Sequence, residues 1–277
     1  MSPTPPASPD GPDAGALQIR DRHGCRWLTV NRPAAMNALN SALVAALANA
    51  VADAAADPAV RVIVFAGGGD QAFIAGADIG ELHALAPDAA LDYCRRLAAV
   101  GEALAQAPKP VVAAIGGWCL GGGLELALAS DIRLASDGAR FGLPEVTLAI
   151  LPGAGGIARL SRLVGGGVAL DLVLSGDIIT ADRALAIGLI SRLVPAGQLA
   201  DAADSLARRL AGFSPGALAT IKQHMNHSAG LPLDQAVQAD ARACASLFGD
   251  DQKEAMAAFL DQRKADFSRK PAPPAAD

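Results

Sequence analysis

The 277-residue chain is 52% hydrophobic and 18% charged, which is enough apolar material for one large domain with a substantial core. Its formal net charge of −5 supplies no global field to gather nucleic acid, and no apolar run reaches bilayer-spanning length. Its four cysteines (Cys25, Cys94, Cys119 and Cys244) form no CxxC pair, so neither a zinc site nor a redox motif is indicated; they read as reduced thiols of a cytoplasmic protein.

Residues 1–15 are rich in Pro, Ser and Gly and lack an apolar signal core, so they read as a disordered tail; residues 268–277 read the same way. Leu17–Val30 alternates around a polar turn at Asp21–Gly24 and predicts a hairpin. Ser41 opens an alanine-rich helix that stops before Pro58. Arg61–Gly67 is a short buried strand, followed by a glycine-rich loop and the run AFIAGADI. Pro87–Gln106 suits an amphipathic helix, and Lys109–Gly117 is the next strand. Asp131–Ser136 and Arg140–Val146 look extended. Strand, strand, helix recurs, which favours an α/β core over 16–195. After Ser191–Pro195 the strands end. Residues 196–267 form a helical region of three or four helices, with breaks at Ser214-Pro215, Gly230 and Gly249-Asp250. Its apolar residues at i, i+3 and i+4 must pack on the core or on a partner subunit. His224 and His227 have ligand-like spacing but no acidic partner in view, and read as surface histidines.

The stretch CLGGGLELALASD, residues 119–131, concentrates the chemistry. A strand-to-helix turn exposes backbone N–H groups, and Gly121, Gly122 and Gly123 let a ligand approach them closely. That arrangement suits an oxygen gaining negative charge. AFIAGADI has the same design, with Asp78 starting a helix, so one N–H from each loop can hold a single oxyanion. Tight turn geometry alone also explains such glycines. Glu125 follows the glycines in an apolar helix, and Glu145 lies in the apolar run GLPEVTLAILPGAGG; two secluded acids can divide acid and base work. GAGGIA, Gly153–Ala158, fits the dinucleotide pattern G-x-G-x-x-A with a strand-like LAIL before it and Asp171 beyond. Its mid-chain place after Pro152, with no ordinary βαβ unit around it, weakens that reading.

In order along the chain, NRPAAMNALN (Asn31–Asn40), AFIAGADI, CLGGGLELALASDIRLAS, FGLPEVTLAILPGAGGIARLSRLVG (Phe141–Gly165) and SLFGDDQKEAMAAFLDQRKADF (Ser246–Phe267) resemble the motifs of the enoyl-CoA hydratase/isomerase (crotonase) superfamily. The resemblance spans roughly residues 16–267. It implies a spiral of ββα units, a helical C-terminal trimerisation region, and assembly as a homotrimer or dimer of trimers. It implies an acyl-CoA thioester as substrate, with no cofactor and no metal. The oxyanion-hole amides match Ala77 and Gly122, and the two acids of the hydratases match Glu125 and Glu145. Ala75, Asp78, Gly121, Gly153 and Trp118 would border the substrate. Lysines common in this family are replaced by Ala34 and Gly80, so Arg32, and Arg263 or Lys264 from a neighbouring subunit, are the candidates to hold the CoA phosphates. The expected reaction is hydration of trans-2-enoyl-CoA; methylglutaconyl-CoA hydration or another hydratase or isomerase reaction of the family is the alternative. A non-catalytic scaffold protein would be expected to have lost one of the two acids.

Overall fold

His23 and Gly24 both have positive φ, 53° and 73°, and fold β1 (Leu17–Arg22) onto β2 (Cys25–Val30) with Arg22 opposite Cys25. A two-residue turn of this kind matches the natural twist of a hairpin. The structure, a computed structural model, describes residues 15–267; apart from residue 15, the expected tails at 1–15 and 268–277 lie outside the described residues. Helix α1 (Ser41–Ala56) is capped by Asn40, whose side chain accepts a hydrogen bond from the Leu43 amide at 2.9 Å.

One unit is then repeated three times. β3 (Val62–Gly67) leads through the short β4 (Ala72–Ile74) to α2 (Ile79–Leu82) and α3 (Pro87–Gln106). β5 (Val111–Ile115) leads through β6 (Trp118–Leu120) to α4 (Gly122–Ala129). β7 (Ile132–Ser136) leads through β8 (Arg140–Gly142) and a 3-10 turn (Pro144–Leu148) to α5 (Gly156–Val164). The chain continues through α6 (Gly166–Ser175), β9 (Ile179–Thr180), α7 (Ala181–Ala186) and β10 (Arg192–Val194) to α8 (Leu199–Ala211), α9 (Pro215–Ser228), α10 (Leu233–Ser246) and α11 (Asp250–Leu260).

The long strands form a six-stranded sheet in the order β1-β2-β3-β5-β7-β10, and the short ones form a second sheet in the order β4-β6-β8-β9. Each repeat contributes one strand to each sheet, which is the spiral of ββα units. β3 and β5 lack polar alternation because both of their faces are covered. Ile63 and Phe65 join the main core with α1 and α3, while Val62, Val64 and Val112 face Ala203, Leu206 and Ala207 of α8. The three-residue strands of the second sheet are too short to show a period in the sequence. Arg140–Val146, expected to be extended throughout, stops being a strand at Gly142. Pro144 starts the 3-10 turn there, its fixed φ suiting a helical first position.

The C-terminal helices dock through a buried cation. Lys222 of α9 reaches Asp131 Oδ2 at 2.9 Å and the carbonyls of Leu104 and Lys109 at 2.8 and 3.1 Å. His224 is not the unpartnered surface residue expected. Its Nε2 lies 2.6 Å from Asp240 Oδ1, because α10 folds back against α9 and supplies an acid from 16 residues away.

Candidate active site

α4 starts where β6 ends, and all eight of its residues are buried. It lies so close to β4 that a Cβ at Gly123 would collide with the Ile74 carbonyl, which fixes glycine there. Gly122 is the first helical residue, so its amide has no intrahelical acceptor. The AFIAGADI loop offers a second unpaired amide for a different reason. Leu39 and Ala77 form a parallel bridge in which Leu39 donates to the Gly76 carbonyl and Asp78 donates to the Leu39 carbonyl, each at 2.9 Å. That pattern skips the Ala77 amide. Among the described residues neither the Ala77 nor the Gly122 N–H donates a backbone hydrogen bond. A Cβ on Gly122 would stand 4.0 Å from the Ala77 nitrogen, so the two loops come close together.

Both amides open on a cavity of about 240 Å³ that Glu125 and Glu145 also line. Glu125 is 3% exposed, and its Oε1 accepts hydrogen bonds from the Ala154 and Gly156 amides at 2.7 and 2.8 Å. Burial raises its pKa, and these two bonds and the nearby Arg159 pull the other way. Glu145 reaches in from the 3-10 turn. Its Oε2 is enclosed without a hydrogen-bond partner among the described residues. Burial, with a smaller push from the Glu125 charge, raises its pKa to about 7. Burial thus pushes both carboxyls toward the neutral form, and at Glu125 two loop amides and Arg159 partly offset that push. Tyr93, Cys94 and Leu97 of α3 and Ile150 and Leu151 from the following loop complete an apolar wall.

The sequence model of the enoyl-CoA hydratase/isomerase family matches residues 21–270. The chain belongs to that family. It is 43% identical over 244 residues to a probable enoyl-CoA hydratase of Rhizobium meliloti, covering 88% of this chain and 94% of that one. It is 40% identical to a crotonyl-CoA hydratase of Syntrophomonas wolfei, with the same shares covered. The crystal structure of an enoyl-CoA hydratase from Bacillus anthracis superposes with a TM-score of 0.88 at 33% identity, covering 91% of this chain and 98% of that one.

Seven of the residues singled out from the sequence line this one cavity: Ala75, Ala77, Gly121, Gly122, Glu125, Glu145 and Gly153. Three do not. The Asp78 carboxylate turns to Arg32, 3.2 Å away, so the Arg32 offered for CoA phosphates is already engaged there. Trp118 lies outside the cavity and is 36% exposed, because on β6 it points opposite to the buried Cys119. Lys264 is exposed and lies outside the cavity of its own protomer. The GAGGIA segment is not a dinucleotide loop: a 3-10 turn rather than a strand precedes it, and its amides hold the Glu125 carboxylate. Tyr93, Cys94 and Leu97 were missed as wall residues. Their i, i+1, i+4 spacing marks a buried helix face, and a cavity wall has the same signature as a core.

Among the described residues no cluster of His, Cys, Asp or Glu is placed to hold a metal ion, and no helix is long and apolar enough to cross a membrane.

Proposed function

We propose that the protein hydrates trans-2-enoyl-CoA to 3-hydroxyacyl-CoA. The observation that carries this reading is the convergence of two secluded carboxyls and two unpaired amides on one apolar cavity. The thioester oxygen sits between the Ala77 and Gly122 N–H groups, which stabilise the enolate-like charge it gains. Glu125, supported as a carboxylate, takes a proton from water while the water oxygen bonds to C3. The C2 carbon takes the proton of Glu145, whose pKa near 7 lets it stand protonated. Both acids touch one water, so they titrate as a pair. Ala75, Gly121 and Gly153 shape the wall around the reacting atoms. No metal or cofactor enters any step.

Among the described residues no Lys, Arg or His lines the cavity, and the two ionisable acids there are Glu125 and Glu145. That lining suits a neutral acyl chain; an acyl group bearing its own carboxylate, as in methylglutaconyl-CoA, is the alternative. Homotrimeric assembly, or a dimer of trimers, belongs to the same proposal. Its support is the exposed apolar surface on the C-terminal helices, where Leu233, Phe259 and Leu260 are 81%, 82% and 79% exposed. In such an assembly Lys264 of a neighbour would be the candidate for the CoA phosphates. Four unpaired thiols suit a reducing compartment, the cytoplasm.

The test follows the conjugated-thioester absorbance of crotonyl-CoA with wild type and Glu145→Gln side by side. Rapid loss with wild type alone is expected. Equal rates in both would remove the two-acid mechanism, and no loss in either would remove the neutral enoyl substrate.

A further inference from the structure

Glu125 is held by backbone, and that backbone is itself held. The amides of Ala154 and Gly156 meet Glu125 Oε1 from either side of the peptide group that joins Ala154 to Gly155. The carbonyl of that intervening peptide, Ala154 O, accepts a hydrogen bond from Arg159 Nη1 at 3.2 Å. The other guanidinium nitrogen, Nη2, is 3.3 Å from Glu102 Oε2 of α3. Gly155 has φ of +100°, the left-handed conformation that turns successive N–H groups toward one anion, and a Cβ there would collide with Arg159 Nη1. The guanidinium therefore packs against the Ala154–Gly155 peptide itself.

We propose that Arg159 is a positioning residue for Glu125: bracketed by Glu102 and the Ala154 carbonyl, it fixes the peptide plane that aims two amides at one carboxylate oxygen and so keeps Glu125 charged and oriented as the base. The inference rests on the hydration reading for its catalytic meaning, but its geometry is separate from it. Arg159 touches neither substrate nor cavity, since it is absent from the wall that Glu125 and Glu145 line. The groups facing Glu125 are few. From α3 come the Tyr93 hydroxyl and the Cys94 thiol, whose ionisation burial pushes up, so both stay neutral. The 3-10 turn brings Glu145, which disfavours a second negative charge, and α5 brings Arg159. Among these, Arg159 is the cation.

Three variants separate the parts of this role. Arg159→Gln keeps a donor for the Ala154 carbonyl without the charge, Arg159→Lys keeps the charge, and Arg159→Met keeps neither. The readouts are the pH profile of kcat/KM on crotonyl-CoA and a direct infrared titration of the Glu125 carboxyl, isolated by subtracting Glu125→Gln. With Arg159→Met, turnover at pH 6 is expected to fall roughly tenfold with KM nearly unchanged. That is a fraction of the hundredfold or more that general acid–base catalysis contributes. The acidic limb and the carboxyl titration should both move to higher pH, with Arg159→Lys restoring most of each and Arg159→Gln lying between. A Glu125 titration identical in wild type, Arg159→Lys and Arg159→Gln, with only the melting temperature changed, would overturn the proposal and leave Arg159 a structural residue. If wild type hydrates no enoyl-CoA, the reaction reading fails alone, because the carboxyl titration still decides the role of Arg159.

Discussion

Glu125 and Glu145 face one cavity from segments built in opposite ways. Glu125 stands on α4, where every residue is buried and where its carboxylate accepts two amide hydrogen bonds. Glu145 stands on a 3-10 turn with no fully buried residue, which ends on exposed Leu148 and is followed by exposed Ile150 and Leu151, and one of its oxygens has no hydrogen-bond partner among the described residues. Burial pushes both acids toward the neutral form; two loop amides and Arg159 oppose it at Glu125, whereas at Glu145 only its own backbone amide does, and the Glu125 charge adds to the push. The same residue type thus meets two environments through backbone placement rather than side-chain chemistry, a contrast that suits the base and acid roles proposed for them.

The comparison breaks most completely if either acid is replaced. Glu125→Gln and Glu145→Gln should each cut kcat by about a hundredfold or more, with circular dichroism unchanged, because each removes one proton transfer. A smaller loss in one would assign the chemistry to the other alone. A break on the supporting side is Lys222→Met, which takes the buried ammonium away from the part-exposed Asp131 and from the Leu104 and Lys109 carbonyls. It should destabilise the protein by about 1–3 kcal/mol in urea unfolding while leaving the rate per folded molecule near wild type.

Acidity sharpens the contrast further. If Glu145 delivers its proton at a pKa of about 7, kcat/KM should decline as pH rises through 7. The linked effect on stability has a definite sign. A carboxyl whose folded pKa is raised binds more protons in the folded state, so its contribution weakens as pH climbs from about 4.5, its ordinary value, to about 7. Glu145→Gln should therefore melt higher than wild type at pH 8 and show a smaller difference at pH 4, measured by scanning calorimetry. The smallest effect is expected at Trp118. Because its ring stands outside the cavity, Trp118→Ala should change kcat less than about twofold, in line with a surface substitution away from a site. A large loss would return the ring to the substrate path.

Much of this was legible in the residues. The polar run Asp21–Gly24 marked the hairpin, the apolar runs within Arg61–Gly67 and Lys109–Gly117 marked two strands, and Ser214-Pro215, Gly230 and Gly249-Asp250 marked the breaks between α8, α9, α10 and α11. The motif order gave the family, and the glycines before Glu125 pointed to an amide-lined turn. What stayed hidden was long-range. Three-residue strands have no period to read, so the second sheet was invisible. A cavity wall such as Tyr93 and Leu97 looks like any core face. Whether Trp118 faces inward depends on the alternation of a strand whose register only pairing with β4 and β8 sets.

The sequence by itself determined where the chain turns, which segments must be buried, and that two acids and two glycine-rich loops would be available for chemistry. These follow from local rules: the φ that glycine permits, the caps that start helices, and the period of apolar residues. Only the tertiary structure decided that the amides of Ala77 and Gly122 are left unpaired side by side, that GAGGIA serves a carboxylate rather than a nucleotide, and that Glu125 and Glu145 are held by different donors. Each of these depends on which groups from distant segments satisfy or desolvate one another, and that is settled when the ββα units stack.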